Sequence, residues 1–313
     1  MGRTIPHIDL AHYLKGDVKQ QEDFVKTLGE GLQKFGFLTV SNHGISPELI
    51  EASYKAFQDF FDLDEQTKKQ YDCVTRGERG YTPFGREHSK DNPLPDLKEF
   101  WHTGQELPED HSLFTRYPQN VWPKEIPELK THALTLYSEL EKCAKILLQA
   151  LSRYFDLPKE TFSSMIKDGN SILRSIHYPK LSEGMENGAI RSAEHEDINM
   201  ITILCESKGA GLELLTGEGK WLPVHTLQGD IVVDSGDMLS RLTNGVIPAT
   251  THRVVNPPEG RNERRFSMPF FAHPYPECDL SVMKRFTSPT NPAKFPPTTA
   301  DEYLQKRLIE TGL

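Results

Sequence analysis

The spacing of apolar positions changes midway along the chain. In the first half, Phe24, Leu28, Leu32 and Phe35 recur at helical intervals, so one helix face is apolar, and Gly36 ends it. Ile50, Tyr54, Phe57 and Phe61 repeat the pattern after Ser46-Pro47, a cap residue followed by a proline suited to the first helical turn. A longer stripe through Ala133, Tyr137, Leu140, Ala144, Leu147 and Leu151 predicts a helix over about 127–154. Between the first two helices, Phe37–Val40 reads as a short strand closed by the turn Asn42-His43-Gly44. From Arg76 to Pro108, glycine, proline and charge dominate, which predicts a long surface loop and a candidate lid.

Near Ser171 the chain turns to short β-type runs: Ile172–Tyr178, Met200–Cys205, Leu212–Leu215, Trp221–Val224, Ile231–Val233, His252–Val255 and Arg265–Ala272. Many short strands at fairly regular spacing imply a sandwich, barrel or jelly roll. After a proline-rich stretch, Tyr303, Leu304, Arg307 and Leu308 predict a terminal helix. No repeat or low-complexity linker interrupts the chain. One domain over 1–313 is therefore expected: a helical portion with edge strands and the lid loop (1–170), a β core (171–275), and a C-terminal loop and helix (276–313).

Composition narrows the partners. The 313 residues are 36% apolar, enough for a sizeable core. A net charge of −9 without a strong basic run argues against nucleic acid. Cys73, Cys143, Cys205 and Cys278 are widely spaced, which fits a reducing compartment rather than a disulfide framework. No apolar run approaches the ~18 residues of a membrane span, and no apolar leader follows Met1, so the expected location is cytoplasmic.

The chemistry concentrates around His195-Glu196-Asp197. In a strand, positions i and i+2 share a face, so an imidazole and a carboxylate converge while Glu196 points away. The pattern alone is weak, because His7-Ile8-Asp9 repeats it. A third ligand separates the two: Asp197 is followed, after 54 intervening residues, by His252, which opens a β-type run. Two histidines and one carboxylate on one face of an octahedron leave three positions open, the arrangement of non-haem Fe(II) oxygenases. His7-Ile8-Asp9 then reads as a structural edge strand. Downstream, Arg265 and Ser267 share a face, and a guanidinium fork beside a hydroxyl binds a carboxylate. Tyr178 is the third partner, its phenol suited to the same anion. Arg174 lies on Tyr178's face of its run; it faces either a ligand or a core acid such as Asp234.

With these motifs in order, the chain resembles the isopenicillin N synthase-like family of Fe(II)/2-oxoglutarate-dependent dioxygenases. The likeness runs from Ile5-Pro6-His7-Ile8-Asp9-Leu10 through Gly211-Leu212-Glu213-Leu214, Trp221-Leu222-Pro223-Val224, Gly236-Asp237 and Thr243-Asn244-Gly245 to His252-Arg253-Val254-Val255. It implies a mainly β protein with surrounding helices and a double-stranded β-helix, or jelly-roll, core. By position it implies His195, Asp197 and His252 as Fe(II) ligands, and Arg265, Ser267 and Tyr178 as the groups around the distal carboxylate of 2-oxoglutarate. It also implies O2-dependent hydroxylation, desaturation or ring closure, with release of succinate and CO2 and no general base required. Two departures stand out. Ile176 occupies a position where many members have Asn, and 12 residues separate His252 from Arg265, a longer spacing that a turn at Pro257-Pro258-Glu259-Gly260 would absorb. Other readings are a family oxidase that does without 2-oxoglutarate, and a jelly-roll sensor or storage protein without turnover. The lid's aromatics and Arg86, with Phe271 on the Arg265 face and Arg174 inside, suit a small amphiphilic or acidic substrate.

Overall fold

Local signals start and stop the helices. The computed structural model describes residues 5–72, 78–89, 94–181, 188–225, 228–258 and 262–310. Strand β1 (His7–Asp9) leads into α1 (Leu10–Lys15) and then α2 (Val18–Phe35). Asp17 caps α2 by accepting from the Gln20 N–H at 2.8 Å, while the Gln20 side chain accepts from the Asp17 N–H at 2.9 Å. Such a reciprocal cap is worth about 1 kcal/mol. Gly36 ends α2 at φ +62°, and Thr250 Oγ1 lies 1.9 Å from where a Cβ would stand. Gly36→Ala would be both strained and blocked there.

Next come β2 (Phe37–Ser41), α3 (Pro47–Phe61) and α4 (Glu65–Lys69). Then follow β3 (Gly80–Thr82), β4 (Glu99–Gly104) and α5 (Glu128–Tyr154). Helices α2 and α3 pack on α5, burying Phe24, Leu28, Tyr54, Phe57 and Phe60 against Leu136, Leu140 and Leu147. This layer covers one face of a large sheet.

The second half supplies β5 (Ile172–Tyr178), β6 (Ser192–His195), β7 (Ile201–Leu204), β8 (Leu212–Leu215) and β9 (Trp221–Pro223). It continues with β10 (Ile231–Ser235), α6 (Asp237–Leu242), β11 (His252–Val254), β12 (Arg265–Ser267), β13 (Pro269–Ala272) and α7 (Ala300–Glu310). One sheet has nine strands in the order β1-β2-β10-β7-β13-β5-β4-β3, with β12 also on β5; the other runs β6-β11-β8-β9. Apart from the parallel β1–β2 pair, the ladders are antiparallel. The two sheets form the double-stranded β-helix. β5 and β8 follow the apolar patterning closely, and the turn expected at 257–260 falls partly outside the described residues.

One expectation is overturned. The stretch read as a surface loop holds β3 and β4, and every residue of β4 is buried. Trp101 packs against Phe60 of α3, with ring centroids 4.7 Å apart, while Phe100 and His102 take the opposite face. With both faces covered, no polar–apolar alternation remains to be read. Glu99 is buried too, but it accepts from Lys68 at 2.8 Å and meets His177 Nδ1 at 2.6 Å across the strand pair.

Candidate active site

Cross-strand register sets the two candidate metal-ligating histidines face to face. His195, at the end of β6, stands directly opposite His252, the first residue of β11, and their rings lie 4.3 Å apart. Each Nδ1 points back to a carbonyl: His195 to Ala193 O at 2.7 Å, His252 to Thr250 O at 3.1 Å. A carbonyl only accepts, so both Nδ1 atoms carry the proton and both Nε2 lone pairs are free. Asp197 Oδ1 sits 3.8 Å from each Nε2. The ligand atoms of the three residues lie within 4.8 Å of one another, and no other such trio occurs among the described residues. Burial, with His252 alongside, pushes His195 down to about 4, so its imidazole is neutral at neutral pH. Two imidazoles and a carboxylate are the donor set that Fe(II) takes.

Strand geometry carries His195 but, contrary to expectation, not Asp197. β6 ends at His195, so Asp197 projects from the connection to β7. Its placement comes from Thr202, whose hydroxyl donates to Asp197 Oδ2 and accepts from Asn199 Nδ2 at 2.8 Å. Thr202 thereby ties one carboxylate oxygen and leaves Oδ1 facing the histidines. Glu196 turns to Thr251 and Asp237, and burial beside Asp237 pushes its carboxyl up to about 7.

Further along the large sheet, Tyr178 of β5 pairs with Arg265 of β12, and Ile176 with Ser267. Arg265 is 1% exposed. It donates to Ser267 Oγ and to Ser207 Oγ, both at 3.1 Å, and its guanidinium lies 4.9 Å from the Tyr178 ring centroid. No carboxylate pairs with it among the described residues. Ser207 carries no signal in the sequence. It arrives because Lys208 and Phe266 exchange backbone hydrogen bonds at 2.9 and 3.0 Å, and because Gly209 has no Cβ to strike the Arg265 stem. Ile176 joins Phe100, Tyr178, Leu212 and Val254 in an apolar cluster beside this site.

A cavity of about 510 Å³ opens over His195 and Asp197. Phe271, Arg174, Lys98, Glu87, His102 and His273 line it, and Leu304, Arg307 and Leu308 of α7 close one side. Arg86 is not in the lining: it forks onto Asp72, with both contacts at 2.6 Å. Arg174 does not meet Asp234 either. Its acid is Glu87, at 3.0 Å, while Asp234 lies 3.8 Å from His252 Nδ1. Sequence reasoning missed Glu87, Lys98 and His102, which sit in and beside the stretch read as a loop. Glu87 and His102 both meet Arg174, 87 and 72 positions away, so no local pattern could reveal that pairing. His7 and His43 have structural partners away from this site, His7 in Thr39 and Ser41, His43 in the Gly229 carbonyl.

Comparison with known proteins agrees with this geometry. Residues 5–125 match the family model of the N-terminal part of non-haem dioxygenases in morphine synthesis, and residues 169–274 match that of the 2OG-Fe(II) oxygenase superfamily. A 2OG-Fe(II) oxygenase family protein of Caulobacter crescentus is 38% identical, with 99% of both chains covered and a TM-score of 0.88. Neurospora crassa T7H, in complex with alpha-KG and thymine, is 26% identical with a TM-score of 0.87, covering 97% of this chain and 96% of that one. A 2-oxoglutarate-Fe(II) type oxidoreductase of Aspergillus fumigatus is 28% identical over 98% of this chain and 93% of its own. Matched along nearly its whole length, with a histidine–aspartate–histidine cluster at the floor of its β core, the chain belongs to the 2OG-Fe(II) oxygenases and is a 2-oxoglutarate-dependent dioxygenase of small molecules.

Proposed function

We propose that His195, Asp197 and His252 hold Fe(II), and that Arg265, Ser267, Ser207 and Tyr178 receive the distal carboxylate of 2-oxoglutarate. The observation that carries this is Arg265, a buried guanidinium whose described partners are hydroxyls rather than an acid. Burying an unpaired cation costs several kcal/mol, and a carboxylate ligand offsets that cost. Ser267 and Ser207 fix the orientation of the fork, and Tyr178 flanks it.

Bound at the triad, Fe(II) with 2-oxoglutarate and O2 supplies a two-electron oxidation that releases succinate and CO2. The chain's own part is placement. The two carbonyls that hold the Nδ1 protons keep both imidazoles in the ligating tautomer. Thr202 restricts Asp197 to one free oxygen, leaving room for a chelating co-substrate. The apolar groups of Phe271, Leu304 and Leu308 shield the cavity from bulk water.

The chain is proposed to act as one domain, because β1 to β4 of the first half are hydrogen-bonded into the same sheet as β5, β7, β10 and β13 of the second. An acidic substrate follows from the sequence only if Arg174 lacks an anion, and Glu87 supplies one. The test is single-turnover analysis with carboxyl-labelled 2-oxoglutarate. Fe(II)-dependent release of labelled CO2 should persist in Arg86→Ala and be lost in Arg265→Met. Equal release from Arg265→Met and the parent would refute the assignment.

A further inference from the structure

Arg174 keeps one donor atom that no described residue uses. Its Nη1 serves both Glu87 oxygens, at 3.1 and 3.0 Å, and its Nε donates to His102 Nε2 at 2.6 Å. Among the described residues nothing bonds Nη2, and Nη2 is not sealed in protein. The guanidinium carbon lies 4.2 Å from the Phe100 ring centroid and 5.4 Å from that of Phe271. Aromatic faces and two anchored nitrogens therefore fix its plane, in a side chain 14% exposed on the cavity.

The charge around it is balanced. Lys98 lies 3.2 Å from Glu87 and 2.8 Å from Asp96, so two cations and two carboxylates form one buried network. Burial opposes ionisation of Glu87, but Arg174 and Lys98 overcome it and hold its carboxyl well below the usual range. Glu194 and Glu196 also line the cavity. A substrate carboxylate at Nη2 would add a negative charge beside Glu87 with both cations of that network already paired, whereas a carbonyl oxygen would take the free N–H without charge.

We infer that the prime substrate is uncharged and presents an amide- or lactam-type carbonyl to Arg174 Nη2, with Glu87 as the counter-charge that turns carboxylates away. This deepens the proposed oxygenase reading and rests on it.

The matched probes are benzamide and benzoate, which share a shape and differ in charge. Full-length protein would be loaded with Mn(II) and saturating 2-oxoglutarate without oxygen, and relaxation of probe protons by Mn(II) read by NMR. Benzamide should relax in the parent, with at least tenfold weaker binding for benzoate. Arg174→Gln should weaken benzamide about tenfold, and Glu87→Gln should shift preference toward benzoate. Equal or better binding of benzoate by the parent, or no relaxation of benzamide, overturns the inference even if a variant fails to fold. The methylene protons of 2-oxoglutarate in the same tubes separate the failures. If they relax and benzamide does not, only the substrate assignment falls; if they do not relax, the co-substrate site and this inference fall together.

Discussion

Replacing Arg265 by Met tests the co-substrate site with two opposed effects. The guanidinium makes hydrogen bonds to Ser267 and Ser207, both 3.1 Å long, each worth about 1 kcal/mol. Against them stands a charge in a side chain only 1% exposed, with no acid beside it among the described residues, at a cost of several kcal/mol. Methionine fills much of the same volume without that cost. Without co-substrate, Arg265→Met should therefore be as stable as the parent or more so. Addition of 2-oxoglutarate reverses the ranking. At one hundred times its dissociation constant, a ligand stabilises the native state by about 2.7 kcal/mol. For a chain of this length that is roughly 5 °C in Tm. Thermal unfolding in Mn(II) buffer, with and without 2-oxoglutarate, should show that shift in the parent and none in the variant. A loss of about 3 kcal/mol in the ligand-free variant would make Arg265 a structural residue, and a full shift in the variant would place the co-substrate elsewhere.

Three further outcomes are expected. His195→Ala, Asp197→Ala and His252→Ala should each abolish tight Mn(II) binding in a metal titration, while His7→Ala, whose ring bonds Thr39 and Ser41, should leave it unchanged; undiminished affinity in any triad variant would refute the metal assignment. Thr202→Val frees the second oxygen of Asp197, and metal affinity should fall about 10- to 100-fold by the same titration, as is usual when the partner of a ligand is lost. His273 is held down to about 4, first by burial, so between about pH 6.5 and pH 4 the unfolded chain takes a proton that the native chain refuses. Stability should fall as pH drops through that window, by up to about 3 kcal/mol, and urea unfolding of the parent and His273→Asn at pH 7 and pH 5 should show the slope flattened in the variant.

The parts of the fold legible in the sequence are those where one face is apolar and the other is not. α2 and α3 show this in their stripes; β5, buried on nearly every position, was legible instead as a β-type run of seven residues bounded by Ser171 and Pro179. β4 was illegible because Glu99, Phe100, Trp101 and His102 are all buried, the charged ones by partners distant in sequence. The ordered motifs picked out the triad residues, but not how Asp197 is placed: β6 stops short of it and Thr202 does the work of strand geometry. Arg174 shows the limit of parity. Its inward direction was readable, but its counter-ion, Glu87, stands 87 residues earlier in the chain. Arg86 was placed by composition alone, and Asp72 draws it elsewhere.

β5 carries Arg174 and Tyr178 on the same face, four positions apart. At about 3.3 Å per residue, the backbone sets roughly 13 Å between the proposed anchor for the substrate and the proposed anchor for the co-substrate. That separation is a fixed ruler, built from strand hydrogen bonds on both sides rather than from adjustable side chains. On the proposed anchoring, the carbon to be oxidised would lie at a set distance from a carbonyl held by Arg174. Changes in the cavity wall, at Phe271 or along α7, would alter which molecules enter, whereas the site of oxidation on each would stay tied to the strand. Moving it would take a two-residue change in β5, which keeps the faces in register and resets the span by about 7 Å.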